Sequence, residues 1–386
     1  MKHLLLTTAL VVGSASFALA NSSDIDQTGA DNLAEVTQTG GTGSASTVLQ
    51  TGSDDIATVT QSDGGGVATN ISDIQQLAGS GTQEATVTQT NSTNGTANEA
   101  YVLQASTEGG NTVSVGQDGD GNIARATQGP GAVDFFLEPL PITGNSSDIQ
   151  QTGSSNIATT DQIVNSDGGN NNAASVAQGG MSNTATITQG TGTLPIGSSN
   201  DNDNIASIEQ LGDGGISTIT QGGESGLAFS RQDGSDNISS IVQSGGIPGG
   251  PGNFANVDQT GTNNNSIVNQ TSALGDLPLV PALTNAEVTQ TGNDNMSTIN
   301  QGPLGGHLAV VEQFGDNLLS TINQNGLLNA AFVRQELSGQ TSEIQQTQAS
   351  PFLPLGNTAD VSQIATAGNN SLVVQTGALN TATVMQ

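Results

Sequence analysis

The chain has 386 residues and a formal net charge of -30, because 34 aspartates and glutamates face only 4 lysines and arginines. It has no cysteine, which excludes a disulfide scaffold, a thiolate zinc site and a cysteine nucleophile. The acidic charge argues against binding nucleic acid or an anionic membrane through a basic patch. With 52 glycines, 8 phenylalanines and 1 tyrosine, the composition alone is typical of disorder, so only a regular pattern can indicate a fold.

Residues 1–20 are predicted to form a signal peptide. Lys2 gives a positive start, an apolar run extends to Leu19, and the small residues Ala18 and Ala20 match the positions that a signal peptidase reads. The apolar run is shorter than the roughly 20 residues that a membrane span needs. We therefore expect export with cleavage after Ala20, which leaves 21–386 as a single repeat domain.

A pattern with a period of two residues follows and continues along the chain. In one clear copy Asn32, Ala34, Val36 and Gln38 alternate with other residues. Since successive strand side chains point to opposite faces, these four residues share one face of a β-strand. With single substitutions allowed, the frame occurs 28 times, in segments that end at glutamines 27, 38, 50, 61, 76, 89, 104, 117, 128, 151, 162, 178, 189, 210, 221, 232, 243, 259, 270, 290, 301, 313, 324, 335, 346, 363, 375 and 386.

The spacing of these glutamines predicts a solenoid. Many are 11 residues apart, which allows a strand of about seven residues and a turn of about four. The turns carry Gly and Asn, as in Gly153 and Asn156, and these residues accept the positive φ angles of a sharp reversal. Two strands and two turns make one rung, so we predict an all-β fold, a cross-β solenoid of about 14 two-strand rungs.

Stacking would compensate for the weak core of each rung. If rungs stack roughly 4.8 Å apart, each inward Asn or Gln lies over its equivalent, and the amides can hydrogen-bond along the axis as ladders. The residues predicted to form this self-assembly ladder are Gln27, Asn32, Gln38, Gln151, Asn156, Gln162, Gln178, Asn183, Gln189, Gln232, Asn237, Gln243, Gln259, Asn264, Gln270, Gln290, Asn295, Gln301, Gln375, Asn380 and Gln386.

The insertions predict one smooth edge over the last ten rungs. If strands alternate between two sheets, every connection at one edge from Gln117 onward spans 11 or 12 residues. The other edge then carries the longer insertions, several of them rich in Pro and Gly, at 129–144, 191–203, 245–252 and 272–284.

Both ends of the predicted solenoid lack an atypical capping repeat. Asn21 begins one strand segment directly after the predicted cleavage site, and Gln386 ends another. Each end would present unpaired backbone groups and half-made ladders, which favours end-to-end polymerisation. Acidic residues expected in turns or on outward faces would oppose it by like-charge repulsion, and they include Asp31, Asp54, Asp55, Asp236 and Asp294.

The frame Gln, x, Gly, x, x, Asn, x, Ala or Ser, three residues, Gln resembles the repeat of the curlin family, the subunits of curli amyloid fibres on bacterial surfaces. Nine copies match it, starting at Gln27, Gln117, Gln151, Gln178, Gln232, Gln259, Gln290, Gln324 and Gln375. The resemblance implies an extracellular solenoid that polymerises with itself into fibres of the biofilm matrix. It also implies a nucleator at the cell surface and an outer-membrane secretion pore as partners.

Little in the sequence favours an enzyme, and we expect no catalytic, metal or cofactor site. His307 occupies an inward Asn position, which favours a substitution within the ladder over catalysis. The run from Asp118 to Asn122 resembles a calcium-binding loop, but no tandem array follows it, so a turn is favoured. Asp201 and Asp203 are interpreted in the same way.

Two other functions remain open. A monomeric surface adhesin could use apolar loops such as the one from Phe135 to Pro139 to hold a partner. An ice-binding solenoid would need a flat array of outward threonines. The Thr-x-Thr pairs that start at Thr58, Thr86, Thr186 and Thr218 are scattered in the sequence, so the sequence favours the adhesin hypothesis over the ice-binding one.

Overall fold

A computed structural model describes residues 20–64, 69–77, 81–91, 95–105, 110–130, 144–164, 171–190, 203–223, 225–245, 252–271, 284–303, 305–348 and 356–386. Within these ranges the regular elements are 28 strands. In chain order they are β1 (Ser22–Gln27), β2 (Leu33–Gly40), β3 (Ala45–Thr51), β4 (Ile56–Asp63), β5 (Ile71–Leu77), β6 (Glu84–Asn91), β7 (Glu99–Ala105), β8 (Thr112–Asp120), β9 (Ile123–Pro130), β10 (Ser146–Ser154), β11 (Ile157–Val164), β12 (Ala173–Met181), β13 (Thr184–Gln189), β14 (Ile205–Asp213), β15 (Ile216–Gly222), β16 (Leu227–Ser235), β17 (Ile238–Ser244), β18 (Phe254–Thr262), β19 (Asn265–Thr271), β20 (Asn285–Asn293), β21 (Met296–Gln301), β22 (Leu308–Phe314), β23 (Leu319–Asn325), β24 (Ala330–Gln335), β25 (Thr341–Thr347), β26 (Thr358–Gln363), β27 (Asn370–Thr376) and β28 (Thr381–Met385).

The strands form two parallel sheets of 14 strands each. The odd-numbered strands make one sheet and the even-numbered strands make the other, and each strand pairs with the strand two positions away in sequence. Pairing is in register, so Gln151 of β10 lies beside Gln117 of β8 and Gln178 of β12. The predicted all-β solenoid of 14 two-strand rungs is therefore confirmed. Every predicted glutamine lies in its own strand except Gln386, which directly follows β28.

A thin core of small aliphatic side chains fills the space between the two sheets. On β12, for example, Ala174 and Val176 are buried, and on β13 Ala185 and Ile187 are buried. The intervening residues of these strands are half-buried on the outer faces. Because each rung buries only a few such groups, neighbouring rungs supply most of the apolar contacts that hold it.

Glycine is required where the strand turns toward the next sheet. Gly180 has a φ of 98°, and a Cβ atom built on it would lie 2.2 Å from the carbonyl oxygen of Gly212 in the next rung. Residues with side chains rarely adopt this φ, and the stacked backbones leave no room for a side chain. The Gly of the repeat therefore permits both the turn and the close approach of successive rungs.

The predicted smooth edge is confirmed by the alternation of the sheets. From β8 onward, every connection from an even strand to the following odd strand is short. The insertions at 129–144, 191–203, 245–252 and 272–284 each connect an odd strand to an even one, at the opposite edge. Their interiors, including 135–139 and Asp201, lie outside the described residues, as do residues 1–19 of the predicted signal peptide.

Candidate assembly interface

The inward glutamines form two continuous hydrogen-bonded ladders along the solenoid. In the odd sheet, Nε2 of each glutamine from Gln27 to Gln346 donates to Oε1 of the glutamine in the next rung, at 2.6–3.0 Å. The ladder of the even sheet runs from Gln38 to Gln386, at 2.7–2.9 Å. The glutamine amides thus hydrogen-bond along the axis within the chain, and every link donates in the same direction. The role of these residues in self-assembly stays a prediction.

From Gln38 onward, each ladder glutamine also ties the two sheets together. The second hydrogen on Nε2 is donated to a backbone carbonyl in the facing sheet, as from Gln151 to the Ile123 oxygen at 3.0 Å and from Gln178 to the Ile157 oxygen at 3.0 Å. Both donors and the acceptor of a mid-solenoid glutamine are thus satisfied, which removes most of the free-energy cost of burying a polar amide.

The inward asparagines also connect successive rungs, but they bond to the backbone, where an amide-to-amide ladder was expected. Oδ1 of Asn122 accepts from the backbone N–H of Asn156 at 3.1 Å, and Nδ2 of Asn156 donates to the Gly180 oxygen of the next rung at 3.0 Å. The reason is position, because the Asn lies at the corner just before each strand, where its short side chain reaches backbone groups of the adjacent turn. The glycine carbonyl as acceptor is a functional group that the sequence reasoning missed.

Burial separates the predicted ladder residues into two groups. Five of them, in the first and last rungs, are exposed or half-buried: Gln27, Asn32, Gln38, Asn380 and Gln386. The remaining ones are buried: Gln151, Asn156, Gln162, Gln178, Asn183, Gln189, Gln232, Asn237, Gln243, Gln259, Asn264, Gln270, Gln290, Asn295, Gln301 and Gln375.

Both ends of the solenoid expose the cross-section of the core. Ile25, Ala34 and Val36 in the first rung are only partly buried, and so are Ala382 and Val384 in the last strand. The equivalent aliphatic side chains of the intervening rungs are buried. β1 and β2 are the edge strands at one end, and β27 and β28 are those at the other. In the part of the chain that the structure describes, apolar surface and unpaired strand edges therefore coincide at the ends.

The direction of the ladders makes the two ends chemically different. Among the described residues, no side chain donates to Oε1 of Gln27 or Gln38, so the first rung offers two acceptors. At the other end, Gln375 and Gln386 donate only to the backbone, at 2.8 Å and 3.4 Å, so each keeps one Nε2 hydrogen. The N-terminal rung therefore offers hydrogen-bond acceptors, and the C-terminal rung offers hydrogen-bond donors.

The inward corner positions that carry Asn in most rungs form a stack that we call the Asn column. Two of its positions carry ionisable residues, and the first of them was expected elsewhere. Asp55, expected in a turn or on an outward face, is buried in this column. It follows Gln50 and Gly52 at the spacing of the repeat, so it replaces the Asn. Burial raises the pKa of Asp55 to about 6. The other is His307, which is also buried, and burial lowers its pKa to about 4.

Asp55→Asn should stabilise the protein at neutral pH. The raised pKa means that the stability contributed by protonated Asp55 is present below pH 3.8 and is lost as the pH rises through about 6. Restoring the repeat residue should therefore add about 3 kcal/mol above pH 7 and nothing near pH 3. Urea unfolding across this pH range measures the difference. Asp294→Asn is the control, because Asp294 is exposed at the turn position of a distant rung that matches Asp54. An equal gain from both variants would contradict the argument.

The outward threonine pairs are less scattered than expected. Thr58 lies beside Thr86 on neighbouring strands of the even sheet, and Thr186 lies beside Thr218 in the odd sheet. The reason is that strands two apart in sequence are neighbours in space. The pairs therefore form one small block in each sheet, in β4 with β6 and in β13 with β15, instead of a long array. Thr37 and Thr159 on the adjoining strands β2 and β11 add one threonine to each block.

The remaining candidate sites are placed in turns and outer faces. Asp118 and Asp120 lie at the end of β8, and Gly119 and Gly121 there have positive φ. Within the described ranges, no group of three or more His, Asp or Glu side chains is arranged to hold a metal ion. No described helix has the length and apolar character needed to cross a membrane.

Comparison with protein-family models found no matching family, and comparison with curated proteins found no match either.

Proposed function

We propose that this chain is a structural subunit that stacks end to end into an extracellular fibre, in the manner that the curlin-like repeat implies. The observation that carries the proposal is that both ends expose the core cross-section and an incomplete amide ladder. A second copy matches each column of inward residues, because its opposite end presents the same residue types at the same spacing.

The register of the junction follows from the register within the chain. Continuing the pairing would place β1 of one copy on β27 of the copy before it, and β2 on β28. Gln27 would then lie over Gln375, and Gln38 over Gln386, so the free Nε2 hydrogens meet the free Oε1 acceptors. Such a contact is head-to-tail and does not close on itself, so it generates an open filament.

Charge supports the same polarity. Asp24 and Asp26 lie on the outer face of β1, and Leu372 and Val374 occupy the matching positions of β27. Head-to-tail stacking thus sets acidic side chains over neutral ones. Contact between two N-terminal rungs would bring the aspartates of both copies together, which like-charge repulsion disfavours.

The cellular setting is part of the proposal. A signal peptide in residues 1–20 would export the chain, and fibres at a bacterial surface would contribute to adhesion and the biofilm matrix. A nucleator and a secretion pore in the outer membrane are the partners that the resemblance implies. Within this proposal the inward histidine, His307, has a structural role in the Asn column.

The test uses the purified chain starting at Asn21, followed by dye binding, electron microscopy and fibre diffraction. We expect filaments with a meridional reflection at ~4.7 Å. They should form faster at higher salt, because salt screens the repulsion between acidic copies. Val36→Asp should slow elongation by about 100-fold or more, since it places a carboxylate in the junction core. Thr37→Asp, which adds the same charge to the outer face of the same strand, is the control.

Circular dichroism of both variants checks that the monomer remains folded. A β-rich chain that stays monomeric would overturn the proposal and favour the surface adhesin. Equal slowing by Val36→Asp and Thr37→Asp would show that charge alone, and not the junction core, limits growth. Specific retention on ice crystals would instead favour an ice-binding solenoid.

A further inference from the structure

One outer face of the solenoid is free of charge over six consecutive rungs. β13, β15, β17, β19, β21 and β23 contain no Asp, Glu, Lys or Arg. We call their outward-facing residues the neutral face. Asp161 on β11 bounds it at one side, and Glu343 on β25 bounds it at the other. In a chain with a net charge of -30, this is a strong local departure from the average.

The opposite face of the same rungs is charged throughout. Each of β14, β16, β18, β20, β22 and β24 carries at least one acidic or basic residue. Among them Arg231 lies within 3.5 Å of three carboxylates, those of Glu209, Asp233 and Asp258. Two copies of this chain that approach through the even sheets would bring like charges together, whereas the neutral faces meet without that cost.

The neutral face also has exposed apolar side chains and internally bonded amides, and both favour its burial. Ile216, Ile238 and Met296 are exposed on it and supply apolar contact area. Its polar groups are partly satisfied within the chain, because Nδ2 of Asn269 donates to Oδ1 of Asn300, and Nδ2 of Asn300 donates to Oδ1 of Asn323, both at 2.8 Å. Flat stacked strands with amide ladders and β-branched side chains pack against one another as dry, interdigitated sheets.

We propose that the neutral face is the surface through which two filaments of this chain associate side by side. This inference depends on the end-to-end filament proposed above. Six strands at ~4.8 Å, with about five residues each, offer an area of roughly 470 Å² per copy. That is below the ~800 Å² per partner of a stable interface. A single pair of monomers would therefore separate, whereas filaments, which repeat the face in every subunit, would pair with high avidity.

The test places charge on the neutral face and measures filament thickness. Ser240→Glu combined with Thr298→Glu adds two carboxylates in a column where Glu343 already occurs, so the fold should tolerate them. The control is Ser207→Glu combined with Asn256→Glu, at the matching positions of the even sheet. Mass per length is measured by electron microscopy and elongation by dye-binding kinetics.

Wild-type and control filaments should have twice the mass per length of the neutral-face variant, while all three elongate within about two-fold of one another. Two results would overturn the lateral association alone: wild-type filaments with the mass per length of one unpaired filament, or variant filaments that still associate in pairs. If no variant and no wild-type chain forms filaments, the proposed function fails, and the lateral association fails with it.

Discussion

Gly180→Ala should destabilise the solenoid by more than about 4 kcal/mol, the range in which single substitutions are exceptional. Two independent effects add at this position. The φ of 98° is strained for any residue with a side chain, and the new methyl group would lie 2.2 Å from the Gly212 oxygen. Relief requires the two rungs to separate by about 1 Å, which would also weaken the bond from Asn183 Nδ2 to the same oxygen.

Gly179→Ala is the matched control, because a Cβ on Gly179 would meet only ordinary contacts at 3.7 Å and beyond. Hydrogen exchange should show lost protection in the strands around β12 and β14 for Gly180→Ala, with the distant rungs still protected, since rungs contact only their neighbours. Similar protection in both variants would show that the glycine is not required for the close approach of the rungs.

The sequence predicted the fold well because one physical rule governs it. Period-two alternation and a spacing near 11 residues fix the strands, the parity of the sheets and the inward position of residues such as Val176 and Gln178. The repetition makes each assignment depend on many copies, so local substitutions do not change it. The alternation of successive strands between the two sheets was also enough to place the insertions of the last ten rungs at one edge.

What the sequence did not predict depends on distances that spacing cannot supply. The Asn side chain is one methylene shorter than Gln, and at the corner it meets backbone groups, which the pattern does not show. Thr58 and Thr86 are neighbours because alternate strands of the sequence pair with each other. Their contact is seen only when each strand is first assigned to one of the two sheets. The burial of Asp55 could have been predicted from its spacing to Gln50, which is that of the inward Asn, but its charge suggested an exposed position.

The two ladders explain how a chain with 33% hydrophobic residues maintains a regular core. Amide groups replace part of the apolar contact, and they do so without a burial cost only while each has a neighbour above and below. The same property that stabilises the middle of the solenoid leaves the ends incomplete. Stability within the chain and attraction between chains therefore have one physical origin.

Gln210→Leu should destabilise the protein by about 2–6 kcal/mol, since it leaves two buried groups without a partner and each of them costs roughly 1–3 kcal/mol. Gln210 is buried, its Oε1 accepts from Gln178 at 2.8 Å, and its Nε2 donates to Gln232 at 2.8 Å. Leucine fills a similar volume, so the loss comes from the donor on Gln178 and the acceptor on Gln232, which remain buried. Urea unfolding and hydrogen exchange of β12 to β16 measure it. Gln150→Leu, an exposed glutamine of β10, is the control and should change stability by less than about 0.5 kcal/mol.

A double variant separates the ladder from simple loss of packing. Gln232→Leu alone should cost about as much as Gln210→Leu, because each breaks two links of the same ladder. Together they should cost clearly less than the sum of the two, since the bond between them is removed only once and neither leaves the other unsatisfied. Additive costs would show that these glutamines act through volume alone. The junction proposed for the filament would then lose its main source of specificity, because the same bond would join Gln386 to Gln38 of the next copy.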